Sequence, residues 1–336
     1  MSRPSRRVRS VLLAGAFLST AIVTSVALPA AGACGDPAPS GRIAYTRSAA
    51  CVDHIWSMNP DGTVQLNLTD GDGTESEPSW STDGSKIAYT AWDGTNSQIW
   101  TMDFDGANRV QITDDPWRHS SPSWSPDGEQ IVFVSTQTGP PELVIINKDG
   151  SNPRDLTSFG ANVLSPSWSP DGQRVVFAST KDGPVDIYVV GIYVPSIVRL
   201  TNSIDPENNP VWSPDGSRIA MSVVDGGGPV SVIVLIDSVD GANPTFLTGN
   251  VCIEESHPTW SPDGLMLAYM SMNSGTSEIY TIGADGTGVT RITTSEANMW
   301  AGAPSWAPTY SPPVVTTPPV DGDDDTGSSL TPAFAC

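Results

Sequence analysis

The chain has 336 residues, 37 of them acidic and 16 basic, for a formal charge of −21. Such a surface repels phosphate backbones, which excludes nucleic acid as a partner. Beyond its first segment no apolar run is long enough to cross a bilayer as a helix.

That first segment reads as an export signal. Arg3, Arg6, Arg7 and Arg9 give a positive start, residues 11–28 are mainly apolar, and Ala31-Gly32-Ala33 supplies small residues for cleavage just before Cys34. Residues 1–33 are therefore assigned as a signal peptide. The same residues make Cys34 a candidate for lipidation, the one expected route to a membrane surface. Taking the four leader arginines from 16 basic residues leaves 12 against 37 acidic, so the mature chain is more acidic still. An exported chain meets an oxidising compartment. Its cysteines, Cys34, Cys51, Cys252 and Cys336, allow three pairings that sequence alone does not choose between.

After a short lead (34–41), Arg42-Ile43-Ala44-Tyr45 has the composition of a strand. The phrase Pro-Ser-Trp-Ser-Thr-Asp-Gly then starts at Pro78 and returns, slightly varied, at Pro122, Pro166, Pro210 and Pro258. A shortened sixth copy is Pro304-Ser305-Trp306-Ala307-Pro308. Its tryptophans, Trp80, Trp124, Trp168, Trp212, Trp260 and Trp306, lie 44 to 48 residues apart, a period typical of stacked units such as propeller blades. Behind each full copy come two apolar runs, as at Ile87-Ala88-Tyr89 and Ile99-Trp100-Thr101-Met102, and then a short run ending in an apolar residue and threonine, as at Ile112-Thr113. This predicts four short strands per unit, a to d from the inside outward.

The turns fit. Ser-Pro-Asp-Gly suits a tight a–b turn, and Asp61-Gly62, Asp105-Gly106, Asp149-Gly150, Asp240-Gly241 and Asp285-Gly286 suit c–d hairpins. The fourth unit lacks that Asp-Gly, and its turn near Val194-Pro195-Ser196 is expected to be irregular. The first unit has no Pro-Ser-Trp of its own, and the orphan copy at 304–307 supplies it. Both ends of the chain would thus build one blade and leave no open inner edge. The expectation is all-β: a six-bladed propeller of four-stranded blades over residues 42–310. Residues 311–336, rich in Pro and Thr and then acidic, read as a disordered tail.

The run P-S-W-S-P-D-G-x-x-I-A-Y, followed by I-W-x-M-x-x-D-G and L-T, resembles the repeat of TolB-like, WD40-like propellers. The resemblance covers residues 42–307 and implies the fold and a protein-binding role in the cell envelope. TolB itself carries an α/β domain before its propeller, whereas only residues 34–41 separate leader and first strand here, which argues against a literal Tol–Pal role. Related propellers accompany the hydrolase domains of prolyl-oligopeptidase-type peptidases, but this sequence contains no G-x-S-x-G elbow.

Residues that the repeat does not explain are the candidates for function. Trp92 falls in a b–c loop, Trp117 and Trp300 in d–a loops, and all three map to one face. His54, His119 and His257 map there too, with many acids that include Glu254 and Glu255. Indoles among carboxylates suit a basic peptide, a cationic ligand or a glycan. Cys51 and Cys252 share the face and form a candidate disulfide across the closing blades. The histidine spacing is not that of a metal site, so no metal, no cofactor and no catalytic residue is assigned. The expected role is a monomeric, non-catalytic scaffold of the envelope or exterior that binds a protein or peptide through the b–c/d–a face. The alternatives are a propeller-type polysaccharide lyase and a glycan-binding protein.

Overall fold

The computed structural model describes residues 41–308, apart from 50, 51, 72, 93, 195, 225–229, 250–252, 297 and 298. The signal peptide, Cys34, Cys51, Cys252, Cys336 and the tail from 311 lie outside the described residues.

The described residues form 24 strands in six four-stranded antiparallel sheets, each running a-b-c-d from the axis outward. In blade 2 the strands are Thr74–Trp80, Lys86–Trp92, Ser97–Asp103 and Val110–Gln111. Blade 5 has Glu207–Trp212, Arg218–Val224, Ser231–Asp237 and Thr245–Phe246. Blade 1 is built from both ends of the repeat region: Trp300–Trp306 is its strand a, beside Ile43–Ala49, Val52–Met58 and Leu66–Asn67. Ile43 pairs with Trp306 and Ala44 with Ser305, which is the expected closure. The c–d turn of the same blade presses on blade 6, where a side chain at Gly62 (φ 82°) would run into the Ile292 carbonyl.

The core is six wedges between neighbouring sheets. In the wedge between blades 3 and 4, Trp168, Phe177 and Tyr188 pack on Val132, Leu143, Ile145 and Leu156. Each repeat tryptophan fills the corresponding place in its own wedge, Trp306 between blades 6 and 1. The indole nitrogens of Trp80, Trp124, Trp168, Trp212 and Trp260 find no hydrogen-bond partner among the described residues, so these rings act through buried apolar area.

The other repeated residues have local tasks. In each Ser-x-Asp-Gly turn the serine hydroxyl donates to the aspartate, 2.6 Å in Ser125–Asp127, and accepts the backbone N–H five residues on, 2.9 Å from Gln130. The threonine closing strand d accepts a backbone N–H of strand c at 2.9 Å, as Thr69 does from Ile55 and Thr157 from Leu143. These bonds hold a two-residue outer strand that its own ladder would leave weak. In blade 4, where Asp-Gly is missing, the turn closes through Gly191 N–H to the Ser196 carbonyl at 3.2 Å and strand d is lengthened to Ile197–Arg199.

Candidate functional site

The loop face is built on the residue that opens strand c, just before the first core residue of that strand. In blade 2 it is Gln98, whose amide donates to the carbonyls of Asp115 (2.8 Å) and Trp117 (3.0 Å). In blade 3 it is Glu142, accepting the Gly160 N–H at 2.7 Å and the Thr157 hydroxyl at 2.6 Å. Asp186 in blade 4 accepts from Ser203 N–H (3.1 Å) and Arg199 (2.6 Å), and Glu278 in blade 6 accepts from Thr293 and Ser295. Blade 1 has His54 here, 3.0 Å from Glu75. Buried polar groups thus pin the d–a loops, where each must find its partners or pay a desolvation cost. Blade 5 has Val232 at this place and no such pin. The signal was a non-apolar residue immediately before an apolar run, and sequence reading passed over it.

The structure divides the predicted site residues. Trp92 and Trp117 are both 42% exposed. They come together, because Arg118, next to Trp117, places its guanidinium 5.8 Å from the Trp92 ring. Glu254 is exposed, and Trp300 is half-buried at the start of strand a, opposite Ser48. His119 and Glu255 face inward instead. His119 is 2% exposed, meets the Phe133 ring edge-on at 5.0 Å, and holds Asp115 at 2.9 Å through Nε2. Burial pushes its pKa down, against the opposing pull of Asp115. Glu255 is buried with one oxygen lacking a partner among the described residues, and burial raises its pKa. Both alternate with solvent-facing neighbours on a strand, so their facing follows the pleat.

The three histidines do not converge. His54 joins blades 1 and 2, His119 sits in blade 3, and His257 belongs to blade 6. No group of three or more His, Cys, Asp or Glu side chains placed to hold a metal occurs among the described residues.

His257 belongs to a second feature. In every strand a the residue before the repeat proline is left-handed: Glu77, Ser121, Ser165, Asn209, His257 and Ala303, with φ from 46° to 55°. One extra residue bulges out of each strand there, as the register slip between Ser76 and Ser79 shows. The six bulges line a cavity of about 170 Å3 on the axis. Around it Glu77 accepts from the Ser121 N–H (2.8 Å) and the Thr90 hydroxyl (2.9 Å), and Asn209 donates to Ser165 at 3.2 Å. Burial lowers the pKa of His257, which leaves a neutral ring in this wall at neutral pH. These six places share one repeat position and vary in chemistry, which was the available signal.

The model of the TolB beta propeller domain matches residues 38–310. The chain belongs to the TolB β-propeller family. Among solved structures it is similar to TolB from Acinetobacter baumannii, with a TM-score of 0.72 and 24% identity over 80% of this chain and 67% of that one. A putative TolB from Agrobacterium tumefaciens gives 0.64 and 18% over 81% of this chain and 100% of the other. A chain of a nidogen/laminin complex gives 0.65 and 11% over 80% and 98%. At these identities the likeness is one of fold. A search of curated proteins gave no match.

Proposed function

We propose that this TolB-family propeller is an exported, non-catalytic scaffold of the cell envelope or exterior that binds a protein or peptide through its b–c/d–a loop face. The observation that carries the reading is the Trp92–Arg118–Trp117 patch: two half-exposed indoles on loops that buried hydrogen bonds hold in place. Rigid aromatic anchors lose little entropy on binding and suit interface centres. Glu254 and Trp300 extend the surface, and a formal charge of −21 favours a basic partner. Buried His119 and Glu255 serve it as supports beneath the loops. A structural neighbour taken from a nidogen/laminin complex is a propeller solved together with a second protein, which supports the mode of action. The exposed indoles equally suit a glycan, and the test separates the two.

The full-length chain, immobilised, is exposed to envelope extract and separately to polysaccharide gels. The expected result is a protein partner that Trp92→Ala with Trp117→Ala releases and Glu254→Lys weakens, with no retention on the gels. A partner that survives all three substitutions, or no partner at low salt, removes the reading; indole-dependent retention on a gel replaces it with the glycan one. Mass determination of the secreted chain tests export, with cleavage expected before Cys34.

A further inference from the structure

Strands b and c of every blade meet at one cross-strand pair that faces the preceding blade. The pairs are Tyr45–Trp56, Tyr89–Trp100, Phe133–Val144, Phe177–Tyr188, Met221–Val234 and Tyr269–Tyr280. Five of the six contain at least one aromatic ring. Blade 5 alone has none, and beside its pair a cavity of about 560 Å3 lies under the connection from blade 4. Two further replacements enlarge the gap. The strand-opening polar pin is Val232, and Ser203 stands where the connection from blade 3 to blade 4 inserts Phe159.

The cavity is mostly apolar, lined by Met221, Val223, Val232, Val234 and Phe246, with carboxyl groups at one end. Glu207, 5% exposed, lines it. One of its oxygens accepts from the Thr201 hydroxyl, and the other has no hydrogen-bond partner among the described residues. Half-buried Asp205 lines the same end. The nearby cation, Arg199, is already held by Asp186 at 2.6 Å, so this end carries uncompensated negative charge. Burial first, then Asp186 and Asp205, push the Glu207 carboxyl up to about 7, against the Thr201 hydrogen bond and Arg199.

We infer that the blade 5 cavity is a binding site for a small primary amine with an aromatic or branched apolar body. The volume lies within the range of small-ligand pockets, and the lining follows their pattern of apolar walls with a few convergent polar groups. A ring in the cavity would supply what the other five blades carry on their own side chains. The ammonium would satisfy the open oxygen of Glu207 with a charge-assisted hydrogen bond. The site is separate from the loop-face patch on blades 2 and 3, so either reading can fail alone.

Titration calorimetry on the full chain with 2-phenylethylamine tests it, with phenylacetate and 2-phenylethanol as probes of the same size. The amine should bind saturably with Kd on the order of 1 mM or tighter. Phenylacetate should bind at least about tenfold more weakly, and Glu207→Gln should weaken the amine by about tenfold. Val234→Tyr, which writes the blade 6 residue into blade 5, should abolish binding in a chain that stays folded by circular dichroism. Met221→Phe makes the same test should Val234→Tyr fail to fold. No saturable amine binding, equal binding of amine and phenylacetate, or unchanged binding in the filled variants would overturn the inference.

Discussion

Between blades 3 and 4, Phe159 of the connecting loop lies 5.7 Å from Phe177 and 5.8 Å from Tyr188, and the latter two rings stack at 20°. Between blades 4 and 5 the same three places hold Ser203, Met221 and Val234, and a cavity remains. Both wedges keep the repeat tryptophan, the Ser-x-Asp-Gly turn and the closing threonine. The repeat therefore secures backbone register and the inner half of each wedge. Filling the outer half is left to residues that vary from blade to blade, and that variation is where a propeller acquires individual sites.

The sharpest way to break the filled wedge is Trp168→Ala. Removing a ring that is 7% exposed should cost about 3–5 kcal/mol. Urea unfolding should show a lower midpoint at an unchanged slope. The unfilled wedge should announce itself through pH. The Glu207 carboxyl sits near 7 when folded and near its ordinary 4.5 when unfolded. The folded state then holds the proton more tightly, so stability is highest below pH 4.5 for this group and is lost as pH rises through 7, by on the order of 3 kcal/mol. Stability of Glu207→Gln relative to the parent, followed by urea midpoints from pH 5 to 8, should therefore rise with pH; a flat difference would show Glu207 to be an ordinary carboxylate.

Exchanging the plugs is a smaller perturbation and a direct one. Phe159→Ser should destabilise by about 1–3 kcal/mol, and Ser203→Phe should stabilise by about 1 kcal/mol as the ring enters the cavity. Opposite signs in the two unfolding midpoints are the test. The smallest effect expected is at Lys181, whose ammonium sits 4.1 Å from the Phe159 ring. Lys181→Ala should change stability by no more than about 0.5 kcal/mol, and by nothing once Phe159 is also Ser, as a double-mutant cycle would report.

Legibility in the sequence followed the repeat. Six copies of one phrase made the blades, their strands, the turns and the shared first blade readable, including the irregular turn of blade 4. The loop face was readable as a location, since Trp92 and Trp117 do reach solvent there. Its chemistry was less so. His119 and Glu255 look like Trp117 and Glu254 on the page, yet one residue further along they enter strands and turn inward. The pins, Gln98 and Glu142 among them, looked like ordinary strand ends. The axial residues from Glu77 to Ala303 looked like spacers before proline.

Sequence alone determined the periodic quantities: where the chain turns, which strands pair, and how the ring closes. These follow from local stereochemistry copied six times, and each copy corroborates the others. Tertiary structure alone decided which volume stays empty and which carboxyl borders it. The outer half of a wedge is filled by two strands of one blade and a loop from its neighbour, whose residues lie tens of positions apart. Its free space is a difference between their summed side-chain volumes and the gap that the backbones set, and that difference appears only when the sheets are in place.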